Sequence, residues 1–134
     1  MPYITGFLTP VKVADKDRYI ASAQTSWPIF KGYGALEQVE TWGDNVPDGT
    51  LTSFPMAVKL EADEVVVLSW IKWPDRASAD ACFEKMPSDP AFADLDMPFD
   101  GKRMMWAVSN RSSRPDPAPA PEHFRRTAVV TGHP

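Results

Sequence analysis

Residues 64 to 73, Glu-Val-Val-Val-Leu-Ser-Trp-Ile-Lys-Trp, constrain the fold more than any other stretch of this chain. The run is dominated by β-branched and aromatic residues and reads as a strand. Successive strand side chains point to opposite faces, which puts Val65, Val67, Ile71 and Trp73 on one side and Val66, Leu68 and Trp70 on the other. Both sides are apolar, whereas a sheet covered on one side alone alternates to polar on its free face. Both faces of the sheet that holds this strand therefore need cover.

The flanking segments say what kind of sheet it is. Residues 3 to 9 are aromatic and β-branched and stop at Pro10, a first strand. From about Asp15 to Tyr33 the period changes: Ile20, Ala23, Trp27 and Phe30 lie on one helical face, Gly32 and Gly34 offer stops, and Pro28 is expected to kink the helix or end its regular part. Residues 35 to 42 read as a second strand, followed by turn residues 43 to 49. Met56 to Glu61 is strand-like and, across Ala62-Asp63, forms an expected hairpin with the run at 64 to 73. Asp75 is a fair N-cap for a second helix with Ala79, Cys82, Phe83 and Met86 on its apolar face, ending near Pro87. Lys102 to Ser109 supplies the last strand.

This order predicts an α+β fold, a ferredoxin-like β-α-β-β-α-β domain with an antiparallel sheet and both helices on one face. The economical cover for the other face is the same face of a second subunit, because a twofold interface is self-complementary. A homodimer whose two sheets face each other, a dimeric α+β barrel, is the expectation, with cover by the tail or a long loop as the alternative. The domain should span residues 1 to 110. Residues 111 to 134 read as a separate tail, in which Pro115 to Pro121 favours an extended polyproline II rod; a flexible or loosely docked extension is the expectation, with an arm across a partner subunit, Val129 and Val130 adding a short strand, as the alternative.

Charge narrows the partners. Residues 1 to 110 carry 10 Lys+Arg against 16 Asp+Glu, an acidic balance that gives no footprint for a nucleic-acid backbone. MPYITGFLTP lacks the features of a signal peptide, and no apolar run approaches the roughly 20 residues of a membrane span. With one cysteine, a cytoplasmic protein is expected, bound to neither nucleic acid nor membrane.

Three motifs carry a family resemblance. GALEQVETWGDNVPDGTLTSFPMAVKL at residues 34 to 60, VLSWI at 67 to 71 and MPFDGKRM at 97 to 104 resemble the YbaA-like family, domain of unknown function 1428, over Tyr3 to about Val108. The resemblance implies membership of the dimeric α+β barrel superfamily. Relatives in that superfamily include cofactor-independent quinol monooxygenases, haem-degrading monooxygenases, isomerases and decarboxylases, with small molecules held between sheet and helices. Pro28 and the tail depart from the family pattern, and fold alone assigns no function.

The residues limit the chemistry further. Both histidines, His123 and His133, lie in the tail, which leaves the domain without an imidazole for a haem, a metal or a general base. No metal and no cofactor are expected. Asp44, Asn45, Asp48 and Asp100 lack the spacing of a calcium loop and suit turns, and Gly6, Gly32 and Gly34 make no phosphate loop. Cys82 reads as a small buried hydrophobe. Among Glu37, Glu40, Asp44 and Asp48, Glu40 is the best acid-base candidate, since it shares a strand face with Trp42 and an indole beside a carboxylate raises its pKa. The expected site has Glu40 as base, Arg103 orienting an anionic or enolic oxygen, and Trp42 and Trp70 as walls of an aromatic-binding pocket. Two functions follow as expectations. One is a cofactor-independent monooxygenase or isomerase of a small aromatic or enolisable compound. The other is a non-enzymatic dimeric ligand-binding or stress-response module.

Overall fold

The computed structural model describes residues 2 to 113; the expected tail rod and the strand at Val129-Val130 lie outside them. Four strands, β1 (Tyr3–Lys12), β2 (Glu37–Glu40), β3 (Glu64–Trp73) and β4 (Met105–Asn110), form one antiparallel sheet in the order β2-β3-β1-β4. Two long helices, α1 (Lys16–Gly32) and α3 (Arg76–Lys85), connect them, with two single-turn helices, α2 (Phe54–Ala57) and α4 (Pro90–Ala93), between. This is the ferredoxin-like topology, built around β1 and β3, which pair along their whole lengths from Tyr3↔Trp73 to Lys12↔Glu64.

The register sorts the side chains. Thr5, Thr9 and Val11 of β1 and Val67, Ser69, Ile71 and Trp73 of β3 share the helix-facing side, and all are buried. The main core gathers Phe30, Ile71, Trp73, Ala79, Cys82 and Phe92; a smaller cluster joins Val11, Tyr19 and Val67. On the outer face stand Gly6, Leu8, Pro10, Val39, Val66, Leu68, Trp70, Met105 and Ala107. Pro10 and Val66 are already covered within the subunit, while Leu68 (39% exposed) and Met105 (46%) are open.

Three local expectations need correction. Met56 to Glu61 is not a strand: Ser53 caps α2 by accepting from the Met56 N–H at 3.1 Å, and Pro55 sits in its first turn. Ser followed by Phe-Pro is a helix-start signal that the apolar count concealed. Pro28 does not end the helix α1, which continues to Gly32. Its fully buried residues are Tyr19, Ser26 and Phe30, so of the expected stripe Phe30 is buried, Ala23 and Trp27 are partly so, and Ile20 is 43% exposed. By contrast α3 starts as its cap implies, Asp75 accepting from the Ser78 N–H at 2.8 Å, and buries Ala79 and Cys82 completely. Among the described residues no helix is long and apolar enough to cross a membrane.

Candidate functional site

The small hydroxyls on α1 explain the space beneath it. Where Ser22 and Ser26 face the sheet instead of large apolar residues, helix and sheet do not close on each other, and a cavity of about 450 Å³ remains. Small-molecule pockets fall in the range of roughly 300–1,000 Å³. Phe7, Phe30, Ile71, Phe83 and Met86 make most of its floor and sides apolar, and Met97 and Trp106, each about half exposed, stand where it meets solvent.

Among the described residues its one charged lining residue is Glu40. Strand β2 brings it there by alternation, because Gln38 and Glu40 point to the helix side opposite Ile71 and Ser69 while Val39 points away. Tyr19 of α1 donates its hydroxyl to Glu40 Oε2 at 2.6 Å, and Gln38 Nε2 reaches Oε1 at 3.3 Å. Gln38 Nε2 also donates to Ser26 Oγ at 3.1 Å, and the Ser26 hydroxyl donates in turn to the Ala23 carbonyl at 2.8 Å. The surrounding protein raises the Glu40 pKa by desolvation, and hydrogen bonds from Tyr19, Gln38 and Ser69 work against that rise. Glu40 is also open to solvent on its far side, where it lines an outer cleft with Lys16 and Trp42, and that access limits the rise. Burial, then the neighbouring Glu40 charge, pushes the Tyr19 phenol well above its ordinary range, so Tyr19 remains a hydrogen-bond donor.

A strap of residues 94 to 104 closes another side with Leu95, Met97, Phe99 and Met104. It is clasped at both ends. Arg18 of α1 holds Asp96 through two contacts at 2.9 and 3.2 Å, and Ser22 bonds the Asp96 carbonyl. At the other end Arg103 grips Glu64 in a fork at 2.6 and 2.7 Å, and also contacts Asp100 Oδ2 at 3.0 Å and the Lys59 carbonyl at 3.1 Å.

Of the four residues expected at one site, the structure brings two near each other. Glu40 lines the inner cavity and the outer cleft, and Trp42 lines the cleft, its ring 5.3 Å from Lys16 Nζ. Trp70 stands on the opposite face of the sheet, two positions from Leu68, and Arg103 is committed to Glu64. Tyr19, Gln38, Ser26 and Ser69 were not anticipated. The signal for them was a strand with polar residues at both inward positions, Gln38 and Glu40, facing a helix that carries Ser22 and Ser26 at i, i+4. Cys82 is fully buried and its thiol is pushed up to about 11 by burial, which suits the packing role and not a nucleophile.

The chain has clear relatives over most of its length. The family model described as protein of unknown function, DUF1428, matches residues 2–101. The chain is 47% identical over 108 residues to the uncharacterised protein YbaA of Escherichia coli strain K12, covering 79% of this chain and 92% of that protein, and the YbaA of Shigella flexneri is equally similar. A crystal structure of a dimeric ferredoxin-like protein from an uncultured marine organism aligns with a TM-score of 0.44 and 18% identity, over 81% of this chain and 92% of that one.

Proposed function

Because this chain belongs to the DUF1428 family, described as of unknown function, its chemistry has to be read from its own cavity, and we propose that the cavity binds a small aromatic or enolisable compound on which Glu40 acts as proton acceptor. The observation that carries this reading is a single carboxylate, supported by a tyrosine hydroxyl and a glutamine amide, set in the wall of an aromatic cavity of about 450 Å³. A carboxylate whose pKa is raised above the ordinary 4.5 is, in its ionised form, a stronger base than an ordinary one. Glu40 takes a proton from the bound compound, the electron pair delocalises into the compound, and return of the proton to a different atom completes an isomerisation. With dioxygen as second substrate, the same carbanion or enolate is the first intermediate of a cofactor-independent oxygenation.

A probe reaction tests the base. Solvent-deuterium exchange at the acidic carbon of 2-tetralone, followed by proton NMR, is expected to be accelerated by the protein and slowed in Glu40→Gln by about 10²-fold or more. The wild-type rate should rise with pH through the Glu40 pKa, above 4.5, because only the ionised form accepts a proton. Glu40→Gln should have no such pH step, and its thermal midpoint should not fall, since the variant removes a charge that the surrounding protein disfavours. Equal exchange rates in the two proteins would remove Glu40 as the base.

The non-enzymatic alternative has one observation in its favour: both oxygens of Glu40 already hold internal donors. In that case Glu40 is a fixed acceptor that orients a ligand, and the variant weakens binding of 2-tetralone while no exchange is catalysed in either protein.

The assembly is part of the same proposal. Leu68, Trp70, Met105, Val39 and Ala107 leave an apolar strip on the outer sheet face, and a second copy of that strip is its complement. Native mass spectrometry of the purified protein is expected to report a dimer, together with any ligand retained. Leu68→Glu, which places a charge within the apolar strip of each copy, should give a folded monomer. A wild-type monomer at micromolar concentration would remove the sheet-to-sheet pairing.

A further inference from the structure

The charge inventory of the inner cavity narrows its ligand. Among the described residues no Lys, Arg or His lines it, and Glu40 is its one ionisable carboxylate. The cations nearby are engaged elsewhere. Arg103 is held by Glu64 and Asp100, Arg18 by Asp96 and Asp15, and Lys16 lies over the Trp42 ring in the outer cleft. No described Lys or Arg nitrogen comes within 4 Å of Glu40, so its charge is matched by neutral hydrogen-bond donors alone.

Around that carboxylate the wall is aromatic: Phe7, Tyr19, Phe30, Phe83, Phe99 and Trp106. Several of these rings are braced against one another, Phe83 stacked on Trp106 at 5.6 Å and 14°, and Tyr19 edge-on to Phe99 at 6.2 Å. Aromatic faces carry negative potential, and a cation within about 6 Å of a ring centroid is attracted to them, more strongly once desolvated. An anionic ligand would meet the opposite: a like charge at Glu40, electron-rich faces, and no cation to pair with. A neutral ligand gains apolar burial and nothing from the charge.

We infer that the inner cavity selects a ligand with a flat apolar body and one positively charged nitrogen, the nitrogen paired with Glu40 and the body held among the aromatic rings. This rests on the proposal that the cavity is a ligand site, and it deepens the chemistry proposed there. A carboxylate base with no cationic partner for a developing oxyanion suits a substrate that supplies its own electron sink. A conjugated, positively charged nitrogen is such a sink: as Glu40 takes the proton from carbon, the electron pair moves onto the nitrogen, giving a neutral enamine, and reprotonation at another carbon restores the cation.

Three probes that share one ring system and differ in charge test the selection. Isothermal titration calorimetry of the full chain at pH 7 with 2-naphthylmethylamine (cation), 2-naphthylmethanol (neutral) and 2-naphthoate (anion) should give binding about tenfold or more tighter for the amine than for the alcohol, and none detectable for the naphthoate. Glu40→Gln should bring the amine down to the level of the alcohol and leave the alcohol within about twofold. Trp106→Ala, a change at a half-exposed position, should weaken the amine in a protein that still folds. If the alcohol binds as tightly as the amine, or the naphthoate binds best, the charge selection is overturned while the cavity stands as a ligand site. If the amine binds best but neither variant affects it, it sits elsewhere and the inference falls. If none of the three binds, both the inference and the underlying ligand-site proposal are overturned.

Discussion

Arg103→Ala is expected to lower the thermal unfolding midpoint by on the order of 10 °C, the largest effect predicted for any polar side chain in the described structure. The reason lies in the partner. The Glu64 side chain is 2% exposed, and Arg103 supplies both hydrogen bonds that hold its carboxylate in the fork, so removing the guanidinium leaves a buried charge with, among the described residues, only the Glu61 N–H at 2.8 Å as a donor. Lysine cannot reproduce a planar fork, so Arg103→Lys should recover part of the loss and no more. Pairing Arg103→Met with Glu64→Leu removes both charges together and should melt closer to the wild type than Arg103→Ala does.

The pH dependence of this pair has a definite sign. Hydrogen bonds from Arg103 hold the Glu64 pKa below the ordinary 4.5, so the folded protein binds fewer protons at this site than the unfolded chain does. The stabilisation is therefore complete above about pH 4.5 and is lost as pH falls through the lowered folded value. Melting curves of wild type and Arg103→Ala should converge in acid. The same substitution frees one end of the strap, and hydrogen exchange within residues 94 to 104 should quicken more than exchange in β1 and β3. Equal midpoints at pH 7 would mean that Glu64 is satisfied without Arg103, and the strap would need another clasp.

How much of this was legible beforehand follows from which interactions are local. The strand at 64 to 73 and the cap at Asp75 were readable because period and capping act within a few residues. Helix α1 was readable in extent and misread in part of its face: Ser22 and Ser26 point inward because they border a cavity, and a count of apolar residues assumes that inward means filled. Arg103, expected to orient an anionic or enolic oxygen, is instead engaged by Glu64, a partner 39 positions away that its neighbours in sequence do not identify. Trp70 was assigned to a pocket wall on composition alone, while alternation from Ser69 and Ile71 puts it on the other face. Glu40 was legible for the opposite reason, since its alternation with Val39 and its inward partner Gln38 are properties of β2 itself.

Trp73→Ala is expected to cost about 3–5 kcal/mol in urea-unfolding free energy, enough to leave a domain of ordinary stability, roughly 5–15 kcal/mol, only marginally folded. The indole is fully buried at the end of β3, edge-on to Phe30 at 6.4 Å and to Phe83 at 6.2 Å. Its Nε1–H donates to Thr5 Oγ1 at 3.0 Å, a hydroxyl that is itself fully buried on the paired strand. Trp73→Phe keeps most of the apolar contact and removes that donor, so it should cost less, about 1–2 kcal/mol. The two variants also separate packing from binding. Phe30 and Phe83 both line the cavity and both lean on Trp73, so the cavity left by alanine lets the aromatic wall relax. Probe affinity should therefore fall in the folded fraction of Trp73→Ala and stay near wild type in Trp73→Phe. Unchanged affinity in the alanine variant, measured under conditions where it is folded, would mean that the aromatic wall is positioned by the strap and by Trp106 rather than by the core beneath it.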